Sequence, residues 1–314
     1  MPVKLEMDAG LYERLCPGIR IRPLDGTRDW VRCADLQKEI WGYPDSAEVV
    51  PGSFLAITPH IGGLLLGAYA GRNRLVGFAW AVPAFHEGRR TYHSHMLGIL
   101  PAFRRRNIGW ALKMVQRDLA LARGIHEIHW TFDPLQSGNA RFNLCRLGAS
   151  VRAYVRDFYG RSDSPLHSAI PTDRFIATWS LTAARVVRYR AQMLAEAPPT
   201  GRLPDRWDPV LAAESRRRAD RPQRIHLGNE YLFEVPENLE MLKKENLRAA
   251  RRWQTLLRLA CIDFFAKGYR IDRFVEALIN GKTRYYYLFR APTGKEGKVA
   301  WLSKCKFRAE PGTS

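Results

Sequence analysis

The residues best equipped for chemistry lie between Ser94 and Lys113, in the stretch SHMLGILPAFRRRNIGWALK. An apolar strand-like run meets Pro101, three arginines follow at Arg104, Arg105 and Arg106, and a helical pattern opens at Ile108 with Gly109 in its first turn. The first N–H groups of a helix lack intrahelical partners, and its dipole adds partial positive charge at the same end. Three guanidinium groups placed there oppose the dipole unless an anion compensates them. Arg104 to Trp110, with Asn107, Ile108 and Gly109 between, therefore reads as an anion site suited to phosphate. Just upstream, alternation along Thr91 to Leu100 puts His93, His95, Leu97 and Ile99 on one face. An imidazole titrates near neutral pH, so His95 is a candidate proton acceptor and also a candidate for orienting or packing a neighbour. Asp133 stands in an Asp-Pro pair and has two readings, a carboxylate for a substrate ammonium or the start of a turn.

Short β-branched or aromatic runs alternate with amphipathic stretches up to about residue 182, the mark of a mixed α/β domain. Strands are expected at Gly18 to Pro23, Gly63 to Ala70, Arg74 to Pro83, Thr91 to Leu100, Glu127 to Phe132, Val151 to Tyr159 and Phe175 to Leu181. Helices are expected at Thr27 to Trp41, stopped by Gly42, at Ile108 to Arg123, stopped by Gly124, and at Ala140 to Leu147. Residues 183–209 hold a helix and a proline-rich connector, Ala197 to Pro209. Residues 210–314 form a smaller α+β unit, with a strand pair at Arg224 to Val235, one long helix from Pro236 to Lys267, and strands around Asn280-Gly281. Its aromatic run Tyr285-Tyr286-Tyr287 could stack nucleic-acid bases but fits a packed strand better.

The order Ile99-x-Pro101-x-x-Arg104-Arg105-x-Asn107-x-Gly109 between a strand and a helix resembles the GNAT superfamily of acyl-CoA-dependent N-acyltransferases, whose signature is Val-x-Pro-x-x-Arg-Gly-x-Gly-x-Gly. Arg105 and Asn107 replace two of its glycines, and asparagine tolerates left-handed backbone better than most side chains. The resemblance spans most of residues 18 to 182. It implies a catalytic domain at 1–182 with a splayed, mixed but mostly antiparallel sheet, and acetyl-CoA or another acyl-CoA as co-substrate without a metal. It further implies that CoA contacts Leu97, Ile99, the turn Arg104 to Trp110, and Asn139. The backbone N–H of Leu97 would stabilise the oxyanion, His95 would serve as base, and His93 and Asp133 would face the acceptor amine. Leu144 stands where the family often carries the tyrosine that protonates the departing thiolate, and Tyr154 and Tyr159 are substitutes only by proximity. The segments SHMLG, WTFDPL, NARFN and PTDRF resemble a bacterial branch that includes amino-acid N-succinyltransferases. That resemblance suggests a small-molecule amine acceptor and succinyl-CoA as an alternative donor.

The chain has 314 residues and a net charge of +19. Residues 1–182 carry 23 basic and 16 acidic residues and the remainder 27 and 15, so the second part is the more basic. This balance motivates two other readings, a nucleic-acid- or tRNA-associated acyltransferase or binding module and, given Leu144, a domain that binds acyl-CoA without turnover. Five scattered cysteines with no Cys-x-x-Cys pair indicate neither a disulfide scaffold nor a zinc site. No apolar run approaches the roughly 18 residues of a membrane span, and the first ten residues lack a signal-peptide core. A cytoplasmic protein with no membrane partner is expected, and a homodimer is compatible with these features.

Overall fold

The computed structural model describes residues 11–292 apart from 13, 44–47, 161–169, 199–221, 223, 228 and 280. Its strands are β1 (Ile19–Pro23), β2 (Leu64–Ala70), β3 (Arg74–His86), β4 (Arg89–Ile99), β5 (Glu127–Phe132), β6 (Ser150–Val155), β7 (Arg174–Ser180), β8 (Arg224–Leu227), β9 (Glu230–Val235), β10 (Arg270–Ile279) and β11 (Lys282–Arg290). They form one sheet in the order β1-β2-β3-β4-β5-β7-β6-β10-β11-β9-β8. Only β4 and β5 run parallel; every other neighbouring pair is antiparallel. The mixed, mostly antiparallel α/β architecture is the expected one. The later strands do not make a separate sheet, because β10 joins β6 at Ile271↔Val151 and carries the ladder onward.

The helices are α1 (Thr27–Trp41), α2 (Gly52–Ile57), α3 (Ile108–Ala122), α4 (Ser137–Ala140), α5 (Ala184–Leu194), α6 (Leu239–Glu245) and α7 (Leu247–Ala266). In α1 the buried positions Asp29, Cys33, Leu36, Gln37 and Ile40 recur at helical spacing, and Gly42 ends it in the left-handed conformation. Helix α3 is buried over most of its surface. It packs on β1 to β4, the part of the sheet that leads into the candidate site.

Several elements differ from the sequence expectation for local reasons. The long helix expected from Pro236 to Lys267 is broken at Asn246, whose side chain accepts the Ala249 N–H at 2.9 Å and so caps a new helix. The strand expected to reach Tyr159 stops at Val155, because Asp157 takes φ 46° and its carboxylate accepts the Thr172 N–H. Helix α4 continues into a π-helical turn, Arg141–Arg146, in which the Leu147 N–H reaches back five residues to Phe142 O.

Tyr286 and Tyr287 are fully buried, and the Tyr287 hydroxyl donates to Pro134 O at 2.7 Å. The tyrosine run is packing, not a stacking platform. Most of the proline-rich connector, the run Arg216 to Arg218, and the charged tail from 293 with Cys305 lie outside the described residues. Among the described residues Cys16, Cys33, Cys145 and Cys261 are buried thiols outside any disulfide. Among the described residues no helix is long and apolar enough to cross a membrane.

Candidate active site

The sheet forks between its two parallel strands. β4 and β5 are in register only at Tyr92↔Ile128 and His93↔His129, yet β4 continues to Ile99 and β5 to Phe132. Beyond His93 the two arms leave a gap whose β4 edge carries unpaired ladder groups. The Leu100 N–H donates to Val76 O on β3 at 2.9 Å. Alternation in an antiparallel ladder then sends the N–H groups of Met96 and Gly98 toward β3 and those of Leu97 and Ile99 into the gap. The Ile99 carbonyl also faces away from β3, where it accepts from Arg104 Nε at 3.2 Å.

A β-bulge at His95 decides which side chains face which way. Trp80 pairs with Met96 and the next residue, Ala81, with Ser94, so His95 is the extra residue. Before the bulge, Ser94 points to α3, where Lys113 Nζ donates to its hydroxyl at 3.0 Å. After it, Leu97 and Ile99 lie on that same side, within 3.7 and 3.9 Å of a Cβ placed on Gly109. Gly98 faces α1 so closely that a Cβ would come within 2.8 Å of Ile40 and 2.9 Å of Trp41. His95 lies against Trp80, ring centroids 5.1 Å apart, and His93 is 5.8 Å from His95. The expectation of one shared face for His93, His95, Leu97 and Ile99 is therefore corrected. The histidines occupy one face, Leu97 and Ile99 the other, and the backbone of residues 95–99 lies between.

Below the Ile99 end of the gap is the arginine loop. Arg105 and Asn107 have φ of 62° and 56°, the left-handed region, so both glycine replacements adopt the backbone a glycine would serve. Asn107 immediately precedes α3 but does not cap it. Its amide instead donates to Leu15 O at 3.4 Å and accepts from Arg146 Nη1 at 2.8 Å. The first-turn N–H groups of Ile108, Gly109 and Trp110 are thereby left without a side-chain cap. Arg104 is partly committed to Ile99 O, and Arg106 reaches Pro17 O at 3.5 Å and lies over the Phe103 ring. Gap-facing amides that end at uncapped helix N–H groups and arginines suit an extended, amide-bearing arm with a polyanionic end. Asn139 is exposed on α4, one turn before Phe142, whose ring approaches Gly109.

The opposite face holds a row of titratable groups. Burial and the neighbouring His95 push the His93 pKa down to about 4, and burial also lowers His95 although its ring remains open to solvent. His129 stacks on His86 at 4.5 Å and lies 3.6 Å from Glu127, whose carboxyl it holds down at about 2 with help from Ser180. Asp133 Oδ1 accepts the Leu135 N–H at 2.8 Å, so the turn reading describes that oxygen, while burial raises the carboxyl pKa. Leu144 is fully buried, Tyr154 is hydrogen-bonded to Asp173, and the exposed Tyr159 places its hydroxyl 3.3 Å from Thr131 on β5. Among the described residues no group of three or more His, Cys, Asp or Glu side chains is arranged to hold a metal ion.

Residues 30–145, which contain the fork, the bulge and the arginine loop, match the acetyltransferase (GNAT) family model. The chain thus carries a GNAT acetyltransferase domain at these residues. The reaction class of that family is acyl transfer from acyl-CoA to an amine. Solved structures similar to it include the ribosomal-protein-S18-alanine N-acetyltransferase from Escherichia coli, at 15% identity over 53% of this chain and 96% of that one, with a TM-score of 0.42. Another is PaiA N-acetyltransferase from Thermoplasma acidophilum in complex with coenzyme A, at 17% identity over 52% and 98%, with a TM-score of 0.38. No curated protein matches the chain. Within this GNAT domain, sequence reading passed over Lys113, Trp80 and Arg146. A signal for Lys113 was present, a single cation inside the apolar run WALKMV.

Proposed function

We propose that this GNAT enzyme acylates the primary amine of an amino acid or related small metabolite, by direct attack of the amine on the acyl-CoA thioester. The observation that carries the reading is the fork, with the Leu97 and Ile99 N–H groups turned into it. In this reading the Leu97 N–H donates to the thioester oxygen as negative charge develops there, and Ile99 pairs with the pantetheine amides. Arg104, Arg105 and Arg106 with the N–H groups after Asn107 hold the phosphates, and Asn139 contacts the pantetheine arm. Of the three arginines, Arg105 has the fewest commitments within the chain.

His95 accepts the proton that the amine must lose. The support for it is position, at the bulge beside the gap, together with a pKa lowered by burial, which keeps the imidazole neutral at physiological pH. His93 is neutral over the same range and orients the acceptor. Asp133 holds an ammonium through Oδ2 while Oδ1 keeps the turn. The residues after 182 complete the acceptor side or an interface, and succinyl-CoA is an alternative donor. The burial of Tyr286 and Tyr287 removes the stacking surface that the nucleic-acid reading drew on.

A panel of acyl-CoA thioesters crossed with amino acids and other amines, read by release of free thiol, tests the proposal. Turnover of one or a few primary amines is the expected result. Absence of turnover together with tight, steeply salt-dependent RNA binding would reject it.

A further inference from the structure

Lys113 lies under the crotch of the fork. Its Nζ donates to Ser94 Oγ at 3.0 Å and to Gln116 Oε1 at 2.6 Å, and it lies 4.2 Å from the Trp130 ring centre and 5.1 Å from that of Trp179. Ser94 and Trp130 are the first residues past the last β4–β5 pair, one on each arm. The ammonium thus touches both arms where they part. Ser94 is also one residue from the bulge at His95.

A buried ammonium is a costly way to fill this space. Lys113 is 2% exposed, and among the described residues no carboxylate pairs with it. An unbranched apolar side chain would fill a similar volume without desolvating a charge. Stability alone therefore does not account for a lysine here, whereas its contacts do. The Ser94 bond fixes β4 just before the extra residue, and the cation–π contact fixes β5 opposite it.

We propose that Lys113 is a positioning residue for acyl transfer: its ammonium, acting through Ser94 and Trp130, fixes the fork and the bulge so that the His95 ring on one face and the Leu97 N–H in the gap address the same reaction centre, one at the amine proton and the other at the thioester oxygen. This rests on the acyl-transfer reading of the gap. The role requires the charged form, and burial brings the Lys113 pKa down to about 7. Loss of the proton above that pH leaves two N–H donors for Ser94 and Gln116 but removes the charge that holds Trp130 on the other arm. The other titratable groups nearby are already engaged. Arg117 and Asp118 on α3 pair with each other at 2.8 Å, and Tyr92 on β4 donates to Gly62 O. His93, and on β5 Glu127 and His129, lie on the other face of the sheet. β7 presents the Trp179 ring.

The test compares Lys113→Met and Ser94→Ala with the unaltered full chain. Lys113→Met is expected to fold with an unchanged or higher Tm and to bind CoA within about threefold, while kcat for acetyl transfer falls about a hundredfold, as an ångström-scale misplacement would produce. Ser94→Ala should lower kcat without altering CoA affinity, and the double variant should be no slower than the worse single one, because both remove the same link. The high-pH limb near 7 should vanish in Lys113→Met. Unchanged kcat and pH profile in folded Lys113→Met, or in Ser94→Ala if the first variant does not fold, would overturn the proposal. Amide hydrogen exchange separates this from failure of the acyl-transfer reading. Added CoA should protect the Leu97 and Ile99 amides in the unaltered chain and protect them less in Lys113→Met, whether or not any amine is turned over; equal protection in both chains counts against Lys113.

Discussion

Arg146 donates to Asn107 Oδ1 across 2.8 Å, tying the π-helical turn after β5 to the residue that opens α3. The bond occupies the one side chain placed to cap the helix and so leaves the first-turn N–H groups to a ligand. Arg146→Ala should weaken CoA binding several-fold while leaving the fold intact, which calorimetry with CoA alone can measure.

The left-handed backbone at Arg105 carries a cost that glycine would not. Arg105→Gly should stabilise the chain by about 1 kcal/mol, a Tm rise of about 1–2 °C for a protein of this size, since a side chain in that region is strained. CoA affinity should fall in the same variant, because a guanidinium leaves the proposed phosphate site. Thermal unfolding and calorimetry read the two effects separately.

At Gly109 the protein itself has room for a Cβ. An added Cβ would meet only ordinary contacts, the nearest being Leu97 at 3.7 Å. Gly109→Val should therefore fold and lose CoA affinity, because its side chain would stand between α3 and the Leu97–Ile99 edge of the gap. Unchanged affinity would move the phosphate site elsewhere.

His95→Ala should reduce kcat about a hundredfold to ten-thousandfold, the usual range for a general base, with CoA affinity nearly unchanged. The base acts when neutral, so the rate should decline as pH falls through its pKa, which burial places below the ordinary value. That low-pH limb should be absent in the variant. A loss below about fivefold with the limb in place would return the proton to solvent or Asp133.

His93 links acidity to stability. Its folded-state pKa is about 4, against an ordinary value of about 6.5. Between those values the unfolded chain binds a proton that the folded chain excludes, so stability declines as pH is lowered from 6.5 toward 4 and is fully present above that window. His93→Gln should flatten this part of the curve in urea unfolding measured across pH.

How the later residues attach to the rest was not visible in the sequence, which suggested a catalytic domain at 1–182 and a smaller unit at 210–314. Phe175 on β7 packs at 5.2 Å against Tyr287 and at 6.3 Å against Phe265, and buried Asp173 bonds Arg258 of α7 at 2.8 Å. Ending the chain at Leu181 would expose that aromatic surface and leave Asp173 without its cation, held only by the Tyr154 hydroxyl and the Asp157 N–H. Arg258→Met alone should cost about 3–5 kcal/mol, because it strands a buried carboxylate.

Local chemistry set what the sequence determined alone. The helix Thr27 to Trp41 follows from its spacing and from Gly42, the arginine loop from Pro101 and the helix pattern after it, and the GNAT resemblance from that same stretch. Each of these depends on residues a few positions apart, whose steric and hydrogen-bonding preferences act before the chain packs. The faces of His95 and Leu97 depend instead on one extra residue in β4 relative to β3, a property of two paired strands that neither strand's own pattern records. The buried Lys113 acquired its partners only when α3 closed over Ser94 and Trp130, residues 19 and 17 positions away. Spacing within one element can name the groups that do chemistry, but their relative direction is decided by the register and packing between elements.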